Sequence, residues 1–183
     1  SLTSVTGQQN VGLLVGRVDS NSELTDIHSE GKVIGYWYVG GLIGYVDESE
    51  LAGLSNSGVV YGRGQAAGLV GAAGNNNKIY SSHSKGVVWG TNWLGGLIGV
   101  VGDNNDIEKS FSTVDVFGSS GLGGLFHSAN NNNRIKYCFS TGHVNGLNNY
   151  TSYGTGGLIG NLGSGNHINA SFSSSVVEGE SNF

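Results

Sequence analysis

The sequence has no Pro, no Met and one Cys among its 183 residues, and only 11% of them are charged. Each shortage excludes something. Without Pro or a Gly-X-Y period, its 34 glycines do not make a collagen strand. One thiol, Cys138, staples nothing internally and leaves no cysteine-rich zinc site. Lys and Arg number 8 against 13 Asp and Glu, which provides no electrostatic footprint for nucleic acid or an anionic lipid surface. No apolar run approaches the roughly 18 residues of a membrane helix, so membrane insertion is not expected. Opening on Ser1 without Met, the chain reads as a mature or excised fragment. What is present, 37% hydrophobic and 9% aromatic residues, predicts a folded core beneath a surface of Asn, Ser, Thr and Gly.

The strongest signal is internal repetition. Six units, 11–38, 39–65, 66–93, 94–121, 122–154 and 155–183, follow a partial rung or N-terminal cap at 1–10. Aligned on Gly41–Gly44, Gly96–Gly99 and Gly157–Gly160, they form columns of like residues. One column is Leu14, Leu42, Leu69, Leu97, Leu125 and Leu158; the next is Val15, Ile43, Val70, Ile98, Phe126 and Ile159. Two more run Leu24, Leu51, Ile79, Ile107, Ile135, Ile168 and Val33, Val60, Val88, Val116, Val144, Val177. The segments carrying them are short, rich in β-branched residues and bounded by Gly, Asn and Ser, as strands are. A unit of about 28 residues cannot bury its own apolar face, so neighbours must stack. In-register parallel stacking at about 4.8 Å per rung predicts an all-β, parallel β-solenoid of about six rungs, roughly 30 Å long, forming one domain over 11–183.

Polar columns suggest the turns. Ser22, Ser49, Asn77, Asn105, Asn133 and Asn166, beside Asn21, Asn76, Asn104 and Asn132, are expected to hydrogen-bond along the axis as amide ladders. Gly35, Gly62, Gly90, Gly118, Gly146 and Gly179 suggest a left-handed or tightly bent backbone. Ser29, Asn56, Ser84, Ser112, Ser140 and Ser173 suggest hydroxyls closing a turn. Departures from the pattern, Leu13, Val114, His127 and Ser175, are expected to mark local bulges. About five extra residues around Gly146–Gly154, with Tyr150 and Tyr153, form a loop.

The unit (Gly-Gly-Leu-Ile-Gly, a short gap, an Ile, a Ser-Phe-Ser-Thr-Gly-like stretch, then Val) resembles the GLUG repeat motif. Gly157–Gly160, Ile168, Ser171–Ser173 and Val177 carry it in the last unit; Gly96–Gly99, Ile107, Ser110–Thr113 and Val116 carry it in the fourth. The similarity spans Val11 to Phe183. It implies a non-catalytic repeat region of a large bacterial cell-surface or secreted protein, such as an adhesin or the accessory region of an immunoglobulin A peptidase, and hence an extracellular location.

Two groups of residues carry candidate chemistry. Tyr61, Trp89 and Phe117 form a column one residue beyond the Val column, so strand alternation points them outward, and Tyr36, Trp37, Tyr38 and Trp93 fall in the adjoining turn. Such a stripe marks a surface for a carbohydrate or protein ligand, unless the turn folds back over the rings. Asp19 and Asp47, with Glu23, Glu50 and Glu48, flank one turn; crowded carboxylates suit calcium, solvated turn charges, or the acid pair of a polysaccharide-active enzyme. His28 and His83 are separated by Ser55, two rungs or about 10 Å, which is too far to share a metal. They head a column completed by Phe111, Phe139 and Phe172. Cys138 occupies a small-residue column and reads as an inert buried thiol. A charge-alternating column, Lys78, Asp106, Arg134, supports register. The leading expectation is a non-enzymatic structural and adhesive module. Alternatives are a filament subunit binding copies of itself end to end, and a polysaccharide-active enzyme.

Overall fold

A computed structural model describes residues 3–147 and 153–179; Tyr150 and Phe183 lie outside them. Among the described residues there is no helix, and all strand pairing is parallel. The chain winds as a β-solenoid of three sheets. The motif sheet stacks six strands, among them Val15–Val18, Ile43–Val46 and Ile159–Leu162. A second sheet stacks six short ones such as Glu50–Ala52 and Lys78–Tyr80. The broad sheet is built on the 13-residue strands His28–Gly40, Ser55–Ala67 and His83–Gly95.

Register follows the columns. Ile43 pairs with Val70, Leu51 with Ile79 and Val60 with Val88. Six stacked strands make about five turns of coil at steps near 28 residues. The fifth step is 33 residues (Ile135 to Ile168, Val144 to Val177), and register is intact on both sides of the insertion. Before Val11, Ser4–Thr6 and Gln9–Val11 pair with His28–Gly40 in the same phase.

Each corner is made by one left-handed residue per turn. Between the motif and short-strand sheets these are Asn21, Glu48, Asn76, Asn104, Asn132 and Gly165; before the broad sheet, Asp26, Gly53, Ser81, Lys109, Tyr137 and Ala170; after it, Asn10, Tyr38, Gln65, Trp93 and Gly121. Asn and Gly tolerate this conformation at little cost, which accounts for Asn21, Asn76, Asn104 and Asn132. They are corner residues, not a second amide ladder as the sequence suggested. Conversely, none of the Gly35-column glycines has a positive φ. A side chain there is excluded by packing. A Cβ at Gly35 would lie 2.7 Å from Val39, at Gly90 2.8 Å from Leu94 and at Gly118 2.8 Å from Leu122.

The interior is two apolar lobes. Leu42, Ile43, Leu51, Leu69, Ile79, Leu97, Ile98 and Ile107 fill one; Val33, Val39, Val60, Val88, Leu94, Val116 and Leu122 fill the other. Most are fully buried, each contributing about 1.5–3 kcal/mol by leaving water. The lobes meet at a waist. There the second Gly of each motif packs against the Ser/Asn column, so that a Cβ at Gly41 would overlap Asn56 and one at Gly96 would overlap Ser112. Asn56 donates to the Gly68 carbonyl at 2.8 Å, Ser84 to Gly96 at 2.8 Å and Ser140 to Gly157 at 2.6 Å. These hydroxyls and this amide therefore bridge the interior and do not close a turn.

The expected amide ladder is present and directional. The amide N–H of Ser49 donates to Asn77 Oδ1, that of Asn77 to Asn105, that of Asn105 to Asn133 and that of Asn133 to Asn166, at 2.8–3.0 Å. A neighbouring ladder runs the other way, the N–H of Asn75 donating to Asp47 Oδ1, that of Asp103 to Asn75 and that of Asn131 to Asp103.

The expected bulges are only partly found. The strand Phe111–Gly118 runs unbroken through Val114, which is buried in the second lobe; pairing is interrupted one rung later, at Thr141–Gly142. The last rung likewise breaks between Ser173 and Val176, where Ser175 sits. At His127 the pairing pattern matches that of the other rungs. The ring fits because the corner residue beside it is Gly121, where a Cβ would lie 2.6 Å from the imidazole. Leu13 packs against the second lobe.

Candidate functional site

The broad sheet buries one face in the second lobe and turns the other to solvent, and the aromatic column lies on the solvent side. Tyr61 and Trp89 are 40% and 39% exposed, so no turn folds back over them. Register places Ile34, Tyr61, Trp89 and Phe117 side by side on four rungs. Trp89 and Phe117 stack with centroids 4.3 Å apart and planes 16° from parallel. Alongside runs an open trough of about 550 Å³, bounded on one side by Ile34, Tyr61 and Trp89 and on the other by Arg63 and Thr91, with Gly35, Gly62 and Gly90 between.

The second aromatic group lies where the long strands of the broad sheet run into the corner, with Tyr38 and Trp93 as the corner residues. Tyr36, Trp37 and Tyr38 belong to the strand His28–Gly40, and Trp93 to His83–Gly95. Trp37 lies across Gly64 of the next rung, where a Cβ would overlap its ring, and reaches Trp93, 5.5 Å between centroids. Trp93 meets Tyr153 edge-on at 5.8 Å. Tyr38 and Trp93 hold left-handed backbone at φ 53° and 61°, a conformation costing bulky residues on the order of 1–2 kcal/mol. Tyr38 itself packs edge-on against Tyr45, away from the trough. Trp37 and Trp93 therefore form a platform beside the stripe, joined to it by Tyr36 and Arg63, whose guanidinium sits 4.9 Å above the Tyr36 ring.

The acidic set is dispersed among separate partners. Arg17 binds Asp19 at 2.8 Å and holds its carboxyl below the usual range. Asp47 accepts the Asn75 N–H at 2.6 Å as a rung of the ladder. Ser20 donates to Glu48 at 2.8 Å. Glu50 accepts from Tyr80 at 2.5 Å and lies 3.7 Å from Lys78; Glu23 is its cross-strand neighbour. Among the described residues, no three His, Cys, Asp or Glu side chains converge as a metal site. The charge-alternating column is in place, Arg134 donating to Asp106 and depressing its pKa.

His83, Phe111, Phe139 and Phe172 stack as a continuous ladder at 4.8, 4.7 and 5.2 Å. Burial lowers the pKa of His83. His127 is buried under Gly121, and desolvation, opposed by the Gly121 backbone, pushes its pKa down to about 4. Cys138 is buried and donates to the Lys136 carbonyl at 3.2 Å, as Ser82 and Ser110 donate two residues back; desolvation pushes its pKa up to about 11. This thiol is no nucleophile.

Three features of the face were missed from sequence. Ile34 belongs to the stripe's own column, and Arg63 follows Tyr61 by two residues and so shares its face; strand alternation could have found both. Gly64, the floor beneath Trp37, has no signal beyond its place in the column. Comparison with protein-family models finds no matching family, and comparison with curated proteins finds no match.

Proposed function

We propose that this chain is a non-catalytic adhesive module whose broad sheet presents the Tyr61–Trp89–Phe117 stripe and its trough to a carbohydrate partner outside the cell. The observation that carries the reading is the exposure of Tyr61 and Trp89 on adjacent rungs, with half-buried Phe117 stacked on the next, across a sheet whose opposite face is buried by Val33, Val60, Val88 and Val116. Such apolar exposure is disfavoured without a use, and aromatic side chains repeated from rung to rung suit a chain of successive sugars. The extracellular bacterial setting rests on the GLUG-like units, and the carbohydrate assignment on the aromatic geometry. Against catalysis stands the placement of Asp19 and Asp47, each committed to a structural partner.

The test is a glycan array probed with the wild type, Trp89→Ala and Tyr61→Ala. Retention of wild type on one class of glycan, lost at least tenfold in both variants with unchanged melting, supports the reading. Equal retention of the variants, or none by wild type, refutes it.

A second reading rests on the described ends of the coil. Leu14, Ile168 and Val177, fully buried in equivalent interior rungs, are 46%, 41% and 46% exposed. Coils of another copy, docking end to end in the same register, would complete those columns. Growth of filaments with concentration supports this assembly; a monomer by sedimentation at high concentration contradicts it.

A further inference from the structure

The charges around the trough narrow the partner's chemistry. Four of the eight Lys and Arg residues of this protein are neutralised where they stand: Arg17 by Asp19, Lys78 by Glu50, Lys109 by Glu108 and Arg134 by Asp106. Lys136 also lacks such a partner among the described residues but stands on the short-strand sheet; Lys32, Arg63 and Lys85 are different. Among the described residues none of them has a carboxylate within ion-pair distance, and all three project from the solvent side of the broad sheet on three successive rungs. Lys32 lies 5.0 Å above the Tyr61 ring and Arg63 4.9 Å above the Tyr36 ring, so the two charges are held against aromatic faces on either side of the trough. On the rungs beyond, the carboxylates of the same face are occupied: Asp115 accepts the His143 N–H at 2.8 Å, and Glu178 lies 3.0 Å from the His143 ring. Among the described residues Glu30, two residues before Lys32, has no ion-pair partner either, and it stands on the far side of Lys32 from Arg63. On a chain of net charge -5, an aromatic trough edged by free cations is a local arrangement and not a consequence of overall basicity.

Resting on the carbohydrate reading above, we propose that the trough binds a linear anionic polysaccharide, its sugars packed against the solvent-exposed parts of Tyr61 and Trp89 and its acidic groups held by Arg63 and Lys32. The guanidinium offers a fork that matches a carboxylate or sulfate oxygen pair, while Lys32 supplies a point charge across the stripe. Arg63 lines the trough and Lys32 lies over the Tyr61 ring on the far side of the stripe, so both charges are already held against aromatic rings and less conformational freedom is lost on binding. The polymer axis runs along the solenoid, crossing one rung every 4.8 Å or so.

The experiment is calorimetric titration of the full chain with polygalacturonate, dextran sulfate and neutral dextran, repeated with Arg63→Gln, Lys32→Gln and Trp89→Ala, each checked for unchanged melting. Polygalacturonate reports carboxylate as the recognised group and dextran sulfate reports sulfate. The expected result is that at least one anionic chain binds at least tenfold more tightly than dextran. Arg63→Gln and Lys32→Gln should each weaken that binding about tenfold, and Trp89→Ala should weaken anionic and neutral chains alike. If dextran binds as tightly as both acidic polymers, or if the two charge variants keep wild-type affinity, the anionic inference fails while the aromatic reading stands. If none of the three polymers binds, the anionic inference fails, and the glycan array alone decides the wider reading.

Discussion

Replacing Asn105 by Ala tests whether the buried amide ladder holds the coil together. Asn105 is 1% exposed. Its Oδ1 accepts from the backbone N–H of Asn77 at 2.8 Å and from Asn77 Nδ2 at 2.9 Å, and its Nδ2 donates to Gly74 O at 2.9 Å and to Asn133 Oδ1 at 3.1 Å. Truncation leaves the Asn77 N–H and the Gly74 carbonyl without these partners inside the turn. At about 1–3 kcal/mol for each buried group left unsatisfied, the loss is on the order of 3–5 kcal/mol, a large share of the 5–15 kcal/mol typical of a domain. The neighbouring Asn104 holds a corner at φ 58° and belongs to no ladder, so Asn104→Gly should change stability by less than about 1 kcal/mol. Urea denaturation followed by circular dichroism compares the two variants with wild type. Similar midpoints for Asn105→Ala and wild type would refute the ladder argument.

Other sites give equally definite outcomes. Gly96→Ala forces a Cβ into Ser112 and the Gly124 backbone and should cost several kcal/mol in the same assay, whereas Ser112→Ala should cost about 1–2 kcal/mol. Asp47→Asn preserves an acceptor for the Asn75 N–H and should leave the melting temperature nearly unchanged, with or without added calcium; Asp47→Ala should lower it. Because the folded pKa of His127, about 4, lies below its unfolded value of 6.5, its neutral form favours the fold. That contribution is complete above about pH 6.5 and falls away toward pH 4, by on the order of 3 kcal/mol. His127→Gln should flatten wild-type pH dependence in that window, and identical profiles would contradict the assignment. Cys138 should resist disulfide-exchange reagents at pH 8 in the folded protein, and Cys138→Ser should retain stability within about 1 kcal/mol.

The coil was legible because stacking makes each position answer to its copies above and below. Leu42, Leu69 and Leu97 could be assigned to a core from sequence alone, and so could the 33-residue step, which keeps Ile168 in phase with Ile135. What the columns concealed was where each one points. Asn104 and Asn105 are adjacent and identical, yet one holds a left-handed corner and the other fills the turn; strand alternation does not operate at a bend. The Gly35 and Gly41 columns both exclude a side chain, and nothing local separates packing exclusion from a backbone requirement. The waist, with Ser84 reaching the Gly96 carbonyl, joins residues 12 apart and emerges only when the coil closes. On the solvent face of the broad sheet, alternation placed Tyr61 and Trp89 outward, but the reach of Trp37 over Gly64 and the pairing of Lys32 with Tyr61 cross from rung to rung and depend on side-chain conformation.

The most direct test of the account's central claim, that the exposed aromatic stripe is where the partner sits, is fluorescence from Trp89 alone. A variant carrying Trp37→Phe and Trp93→Phe leaves that one indole, stacked on Phe117 and open to solvent. Titrated with a glycan retained on the array, its emission should shift and its quenching by iodide should fall in step with binding. Binding that leaves both unchanged would place the partner elsewhere on the molecule and contradict the account.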